Sequence, residues 1–291
     1  MKICENRVVI ITGAGGGLGR AYAQAFAAEG AKVVVNDINR EAALAVVCEI
    51  LVQGGSAVAN SNDITCYEEA ALIVRQAIES FGGLHVVVNN AGICRDRMFA
   101  SLTEADWDAV VAVHLKGHFC IASHAARYWR EQAKDGVTVS ARIINTSSGA
   151  GLQGSIGQSN YAAAKAGIAS LTLVQAAELG RYGVTVNALA PAARTGMTEQ
   201  VFADTMKKPE EGFDYFAPEN VAPLVVWLGS EASHEVTGQM FEVEGGKLSI
   251  ADGWRRGPEL DRNGRWAVGE MGDAVAQLIA QAVPAAKVYG S

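Results

Sequence analysis

The sequence contains no run of eighteen consecutive apolar residues. A helix that crosses a bilayer needs about twenty, so no membrane-spanning segment is expected. Cysteine is sparse. Cys4, Cys48, Cys66, Cys94 and Cys120 are scattered over 291 residues and form no close pairs, which fits reduced thiols better than a disulfide framework. Basic residues are outnumbered, 24 Lys and Arg against 31 Asp and Glu, and the net charge of −7 speaks against a broad nucleic-acid surface. Internal repeats, low-complexity tracts and long charge runs are missing. So is the GxSxG turn on which an α/β hydrolase carries its serine. The first apolar run begins by residue 7, so no signal peptide is expected ahead of it. The final Tyr289-Gly290-Ser291 is not a peroxisomal tripeptide. A cytoplasmic location is the expectation.

What the chain does have is apolar content, 49% of its residues, enough to bury a large core. Strands are predicted near 7–12, 32–37, 56–61, 84–90, 139–146, 183–190 and 239–243, alternating with helical segments of about 10–15 residues. That pattern predicts an α/β chain: a doubly wound, Rossmann-type parallel sheet of about seven strands with helices on both faces. A single domain is expected over 1–250. Residues 251–291 form a C-terminal extension, packed on the same domain or on a neighbouring subunit. Within it Trp254–Pro258 and Arg262–Trp266 read as loop, and Glu270–Ala282 as a short amphipathic helix.

The first strand runs straight into Thr12-Gly-Ala-Gly-Gly-Gly-Leu18-Gly19, and a helix follows from about Leu18 to Glu29, stopped by Gly30. Strand, glycine turn and helix in that order give the glycines meaning. Gly13, Gly17 and Gly19 stand at TGxxxGxG spacing. Such glycines let the backbone approach a pyrophosphate, and the helix N-terminus offers free N–H groups and a positive dipole end. The second strand, Lys32–Asp37, ends in an acid eighteen residues after Gly19. An acid there accepts hydrogen bonds from ribose hydroxyls and repels a 2′-phosphate. The glycine loop holds no Lys or Arg, and Arg40 follows the acid. The expected cofactor is NAD rather than NADP.

Tyr161 and Lys165 are spaced i, i+4 and so share a helix face, and Ser148 stands thirteen residues upstream of the tyrosine. A free phenol titrates near ~10, so proton transfer at neutral pH needs a shift of roughly three units, or about 4 kcal/mol. A neighbouring cation shifts it in that direction.

These features together resemble the short-chain dehydrogenase/reductase family over about residues 7–250. Asn62-Asp63-Ile64 matches its adenine-contacting segment, Asn89-Asn90-Ala91-Gly92 its NNAG motif, and Ile143 to Ser148 the strand that carries its catalytic serine. Asn187 to Pro191, continuing through Thr195, matches the segment that holds the nicotinamide carboxamide, and Val236 to Gly246 the last strand and turn. The resemblance implies that Ser148 hydrogen-bonds the substrate oxygen, that Tyr161 exchanges its proton, and that Lys165 lowers the tyrosine pKa and binds the nicotinamide ribose. Ser147 competes for the serine role, and the spacing favours Ser148. The implied cofactor contacts are Gly13, Gly17, Leu18, Gly19, Asp37, Asp63, Ile64, Asn90, Gly92, Tyr161, Lys165, Pro191 and Thr195. A homo-oligomer, tetramer or dimer, is also implied.

One departure narrows the match. Where most of the family has N-L-x-G, with the Asn bending a helix so that a backbone carbonyl holds a relay water, this chain has His114-Leu115-Lys116-Gly117. His114 therefore enters the candidate catalytic set in place of that Asn. The variant motif, Asn89 to Met98, and Pro191-Ala192-Ala193-Arg194-Thr195 are similar to one branch. It contains the (3R)-hydroxyacyl-CoA dehydrogenase domains of peroxisomal multifunctional β-oxidation enzymes and bacterial hydroxysteroid and hydroxyacyl-CoA dehydrogenases. The branch implies a hydroxyacyl thioester substrate by analogy. A sterol, terpene or other apolar alcohol, or a non-catalytic NAD-binding role, are the competing readings. His114, His118, Cys120 and His124 lack a well-spaced ligand set, and no metal is expected. Residues 196–218, with Phe202, Met206, Lys207, Lys208, Phe213, Tyr215 and Phe216, fall where the family places its substrate loop. They read equally as a grip for an acyl-CoA and as ordinary packing.

Overall fold

The computed structural model describes residues 2–196, 206–253, 255–284 and 286–290. Eight strands form one sheet: β1 Val8–Thr12, β2 Lys32–Asn36, β3 Ser56–Asn60, β4 Val86–Asn89, β5 Ala141–Thr146, β6 Val184–Ala192, β7 Met240–Glu244 and β8 Lys247–Ile250. Their order is β3-β2-β1-β4-β5-β6-β7-β8, and all neighbours are parallel except β7 and β8. The seven expected strands are present. The eighth is a hairpin return through Gly245-Gly246, a turn dipeptide suited to two-residue hairpins. All four of its residues are exposed, so it carries no alternating pattern by which sequence could have revealed it.

The central parallel strands β1, β2 and β4 read as nearly continuous apolar runs because both faces are buried. In β1, Val9 and Ile11 enter one core and Val8 and Ile10 the other. In β4, Val86 and Val88 join the first and Val87 the second. Helices α1 Gly17–Ala28, α2 Arg40–Val52 and α8 Ala222–Gly229 cover the first face. The second is covered mainly by α3 Tyr67–Phe81 and α5 Gly117–Lys134, with α7 Ser159–Leu179 against β5 and β6. Connections from β1 and from β4 leave towards opposite sides, which opens a crevice at the carboxyl ends of the strands where the order reverses.

The helical stretch between β4 and β5 is interrupted. Helix α4 Glu104–Val111, capped by Thr103, passes into a π-helical turn Ala112–Lys116 before α5 begins. A short helix, α6 Gly149–Gln153, joins β5 to α7. In the extension, α9 Met271–Gln281 falls where a helix was expected, with 255–267 outside regular structure. Its apolar Val275 and Ile279 are exposed, 49% and 70%. After α9 the chain returns to the sheet's active end, where Tyr289 forms a parallel bridge with Ser155.

Candidate active site

The glycine loop is dictated by close approach. Gly13 has φ +62°, and a Cβ on it would lie 2.7 Å from the Ala91 Cα. A Cβ on Gly19 would lie 2.2 Å from the Gly13 carbonyl oxygen. No other residue type fits either position. Asn90, at the end of β4, ties this loop down. Its side-chain amide donates to the carbonyls of Thr12 (3.0 Å) and Gly13 (3.3 Å), and its N–H donates to Thr12 Oγ1 (3.0 Å). Leu18 packs against the core on the α1 side. Asp37 follows β2, where its carboxylate accepts from the N–H groups of Gly15 and Asn39, both at 2.9 Å. Asp63 accepts from Thr65 N–H at 2.8 Å and Ile64 is buried against Gly117. Thr195 lies 3.3 Å from a Cβ position on Gly17, and Pro191 pairs with Val243 at the end of β6.

The cofactor-binding expectation therefore gathers at one end of the sheet, but several of its polar members already bond protein backbone and shape the rim. Gly16 caps α1 without a side chain, and a Cβ on it would meet nothing within 4 Å. An uncovered helix N-terminus under a glycine turn, with a carboxylate at the next strand end, fits the phosphates and ribose of a dinucleotide.

The reacting groups meet across the loop after β5. Ser148 is the N-cap of α6, its Oγ accepting from Ala150 N–H at 3.2 Å, and its hydroxyl stands near enough the Tyr161 phenol to lower its pKa. Ser147 is buried and turned away, its Oγ donating to the Lys165 carbonyl at 2.7 Å. The two adjacent serines thus do different things. Lys165, one turn after Tyr161 on α7, is buried and donates from Nζ to the Thr146 carbonyl at 2.7 Å. Its ammonium stands 5.4 Å from the centre of the Tyr161 ring.

The electrostatics differ from the sequence expectation. Burial pushes the Tyr161 phenol up to about 12, with the nearby Ser148 hydroxyl pulling it back. Lys165 does not offset this, because its Nζ is drawn to Thr146 and burial lowers its own pKa to about 7. A desolvated lysine near neutrality is a weaker charge than the expectation assumed.

His114 sits in the π-helical turn and is buried. According to tautomer, its Nε2 donates to the Ile93 carbonyl at 2.7 Å or accepts from the Ile93 N–H at 3.0 Å. Burial, then Lys165, lowers its pKa to about 3. The ring also explains Gly92, since a Cβ there would lie 2.3 Å from His114 Cε1. Gly92 makes room for a protein side chain.

The loop ahead of α8 is partly legible. Phe202 lies outside the described residues, as does Trp254 in the extension. Arg194 pairs with Asp214, and Arg194 N–H donates to the Phe216 carbonyl at 2.7 Å. Tyr215 fills the space beside Gly245, while Lys207, Lys208 and Phe213 are exposed. Sequence reasoning missed the Arg194–Asp214 anchor, for which twenty residues of separation left no local signal. Among the described residues no three His, Cys, Asp or Glu side chains converge as a metal site would require. No helix among them is long and apolar enough to cross a membrane.

A doubly wound sheet with a glycine turn at its switch point and a Ser-Tyr-Lys set beside it defines a class, the dinucleotide-dependent α/β oxidoreductases. Within that class the chain belongs to the short chain dehydrogenase family, which matches residues 7–206. It is an oxidoreductase acting on CH–OH donors, in a family that uses NAD or NADP. It is 48% identical over 253 residues to the hydroxyacyl-CoA dehydrogenase ChsB1 of Mycobacterium tuberculosis, covering 84% of this chain and 80% of that protein. It is 43% identical to the mouse peroxisomal multifunctional enzyme type 2 over 83% of this chain, but spans only 32% of that longer protein. A crystal structure of a short chain dehydrogenase from Mycobacterium avium superposes with a TM-score of 0.92 at 58% identity, covering 99% of this chain and 100% of the other.

Proposed function

We propose that the chain is an NAD-dependent dehydrogenase of 3-hydroxyacyl thioesters. Bound NAD would take the hydride of the carbinol carbon at its nicotinamide ring, or return it in the reverse direction. Ser148 orients the substrate oxygen and steadies its developing charge. Tyr161 takes the hydroxyl proton during oxidation and gives it back during reduction. Lys165 holds the nicotinamide ribose. His114 is a positioning residue that fixes the Tyr161 ring and the Ile93 backbone. Gly13, Gly17, Leu18, Gly19, Asp37, Asp63, Ile64, Asn90, Gly92, Pro191 and Thr195 form the cofactor wall. The working assembly is a homo-oligomer, most simply a tetramer, in the cytoplasm.

The observation that carries this reading is the gathering of Ser148, Tyr161 and Lys165 beyond β5, with the lysine ammonium 5.4 Å from the tyrosine ring centre, on a chain 48% identical to a hydroxyacyl-CoA dehydrogenase. A long thioester can use remote binding energy to seat its carbinol carbon, so truncated substrates should lose kcat as well as affinity. NADH fluorescence with matched alcohols, with and without the CoA moiety, tests it. Oxidation of free sterol or terpene alcohols but no CoA thioester would replace this substrate class. In Tyr161→Phe, NAD binding should hold while turnover falls by ~10²–10⁴-fold, the usual contribution of a general acid–base group. Retention of more than about a tenth of kcat would remove Tyr161 from that role.

A further inference from the structure

The last residues of the chain return to the catalytic serine. Tyr289 N–H donates to the Gly154 carbonyl at 3.2 Å, and Ile156 N–H donates to the Tyr289 carbonyl at 3.0 Å. These two bonds hold the far end of α6. The Tyr289 side chain reaches its near end: a Cβ on Gly149 would lie 2.7 Å from the Tyr289 Oη and 3.0 Å from its Cε2. Val288 lies 3.4 Å from the corresponding position on Gly154, and Gly290, at φ +87°, lies against Ile156. Three consecutive residues thus brace the whole turn that begins at Ser148.

That turn needs bracing. Gly149 and Gly151 stand within its five residues and Gly154 ends it, and each interior glycine costs a helix about 1 kcal/mol relative to alanine. Its inner side has no space for larger residues, since a Cβ on Gly151 would lie 2.6 Å from the Lys165 carbonyl carbon. Support must come from the outer side, where the tail lies. Tyr289 remains 47% exposed, so its ring packs on Gly149, next to Ser148, and keeps an open side. Its hydroxyl is held above the usual phenol range by burial, then by the charges of Glu242 and Glu244.

We propose that Val288–Gly290 is a strap over α6 and that Tyr289 is a positioning and specificity residue, holding Ser148 in register and walling the substrate entrance beside it. The proposal rests on the reading that Ser148 orients the reacting oxygen. The strap belongs to the extension, beyond the residues 7–206 that the short chain dehydrogenase family model matches.

A double-mutant cycle in the full chain tests it, using Tyr289→Ala, Gly149→Ala and the pair, with Tyr289→Phe as the conservative control. Tyr289→Ala should lower kcat about tenfold and raise KM for the alcohol, with NADH affinity within about twofold and Tyr289→Phe close to wild type. Gly149→Ala should act alike by displacing the ring, and the pair should be no worse than either alone. Losses that multiply in the pair, or an unchanged kcat/KM in Tyr289→Ala, overturn the proposal. Hydrogen exchange at the Ile156 and Tyr289 amides gives a second readout that needs no turnover. Protected amides that become fast in Tyr289→Ala support the strap even if no alcohol tried is a substrate. Fast exchange in the wild type refutes it, whatever the activity.

Discussion

The Tyr161 ring meets the edge of the His114 imidazole, with centroids 5.1 Å apart and an interplanar angle of 85°. The histidine therefore acts on the tyrosine as a fixed neutral wall. Its pKa of about 3, against an ordinary 6.5, leaves it uncharged wherever the enzyme works. Its C2 proton resonance should not titrate between about pH 5 and 8, the range in which a free histidine does. The sign for stability follows. The unfolded chain binds the proton first as pH falls, so stability is lost from 6.5 down towards 3. Urea titrations of His114→Asn should show a shallower acid loss than wild type.

Adjacent serines should give opposite phenotypes. Ser148→Ala removes the hydroxyl beside the Tyr161 phenol and should reduce kcat by about 10²-fold or more with little change in melting temperature. Ser147→Ala leaves the Lys165 carbonyl without its partner and should cost about 1 kcal/mol of stability while sparing most of kcat. Thermal melts paired with steady-state kinetics separate the two. A large kcat loss in Ser147→Ala alone would reverse the assignment.

Asp37→Ala should do two things at once. Preference for NAD over NADP, measured as a ratio of kcat/KM values, should fall or invert because the repelling carboxylate is gone. Melting temperature should also fall, since two backbone N–H groups lose their acceptor, at about 1 kcal/mol each. A wild-type preference for NADP would refute the NAD assignment directly.

Lys165 and Tyr161 set the alkaline behaviour. Oxidation requires the ionised phenol, whose pKa is about 12 in the cofactor-free chain, so kcat/KM for oxidation should rise with pH and that for reduction should fall. For Lys165 the folded pKa of about 7 lies below the ordinary 10.5, so its contribution to stability is full above 10.5 and is lost as pH drops towards 7. Lys165→Met should flatten urea stability over that interval. An unchanged slope would count against the depressed lysine.

Phe119, Leu173 and Val174 expose apolar side chains on α5 and α7, at 49%, 56% and 49%. Helix faces of this kind are normally covered by another copy. Light scattering should return a multiple of 30.5 kDa at micromolar concentration, and a monomer would remove the oligomer from the proposal.

The sheet was readable from sequence because the central strands β1, β2 and β4 are buried on both faces and so run almost wholly apolar, while β7 alternates buried and half-buried residues. The glycine turn was readable because Gly13 and Gly19 have no substitutes where backbone meets backbone. Spacing alone placed Ser148 by Tyr161. The use of Ser147, the drawing of Lys165 to Thr146, and the filling of Gly92's space by His114 were hidden. Each depends on contacts between residues at least eighteen positions apart. Periodicity reports a residue's own face, not its distant partner. The return of Tyr289 to Gly149 was invisible for the same reason.

The π-helical turn at Ala112–Lys116 puts one surplus residue into an otherwise regular rod. One residue rotates everything beyond it by ~100° about the axis. The two halves are therefore out of phase: α4 presents its inner side to α7, and α5 presents its inner side to α3. Removing a single residue from that turn would act as a frameshift in three dimensions. It would swing Cys120, Ile121, Ala125 and Trp129 away from the sheet they now pack against, and it would move His114 off Ile93. The rod and the imidazole are thus placed by the same extra residue.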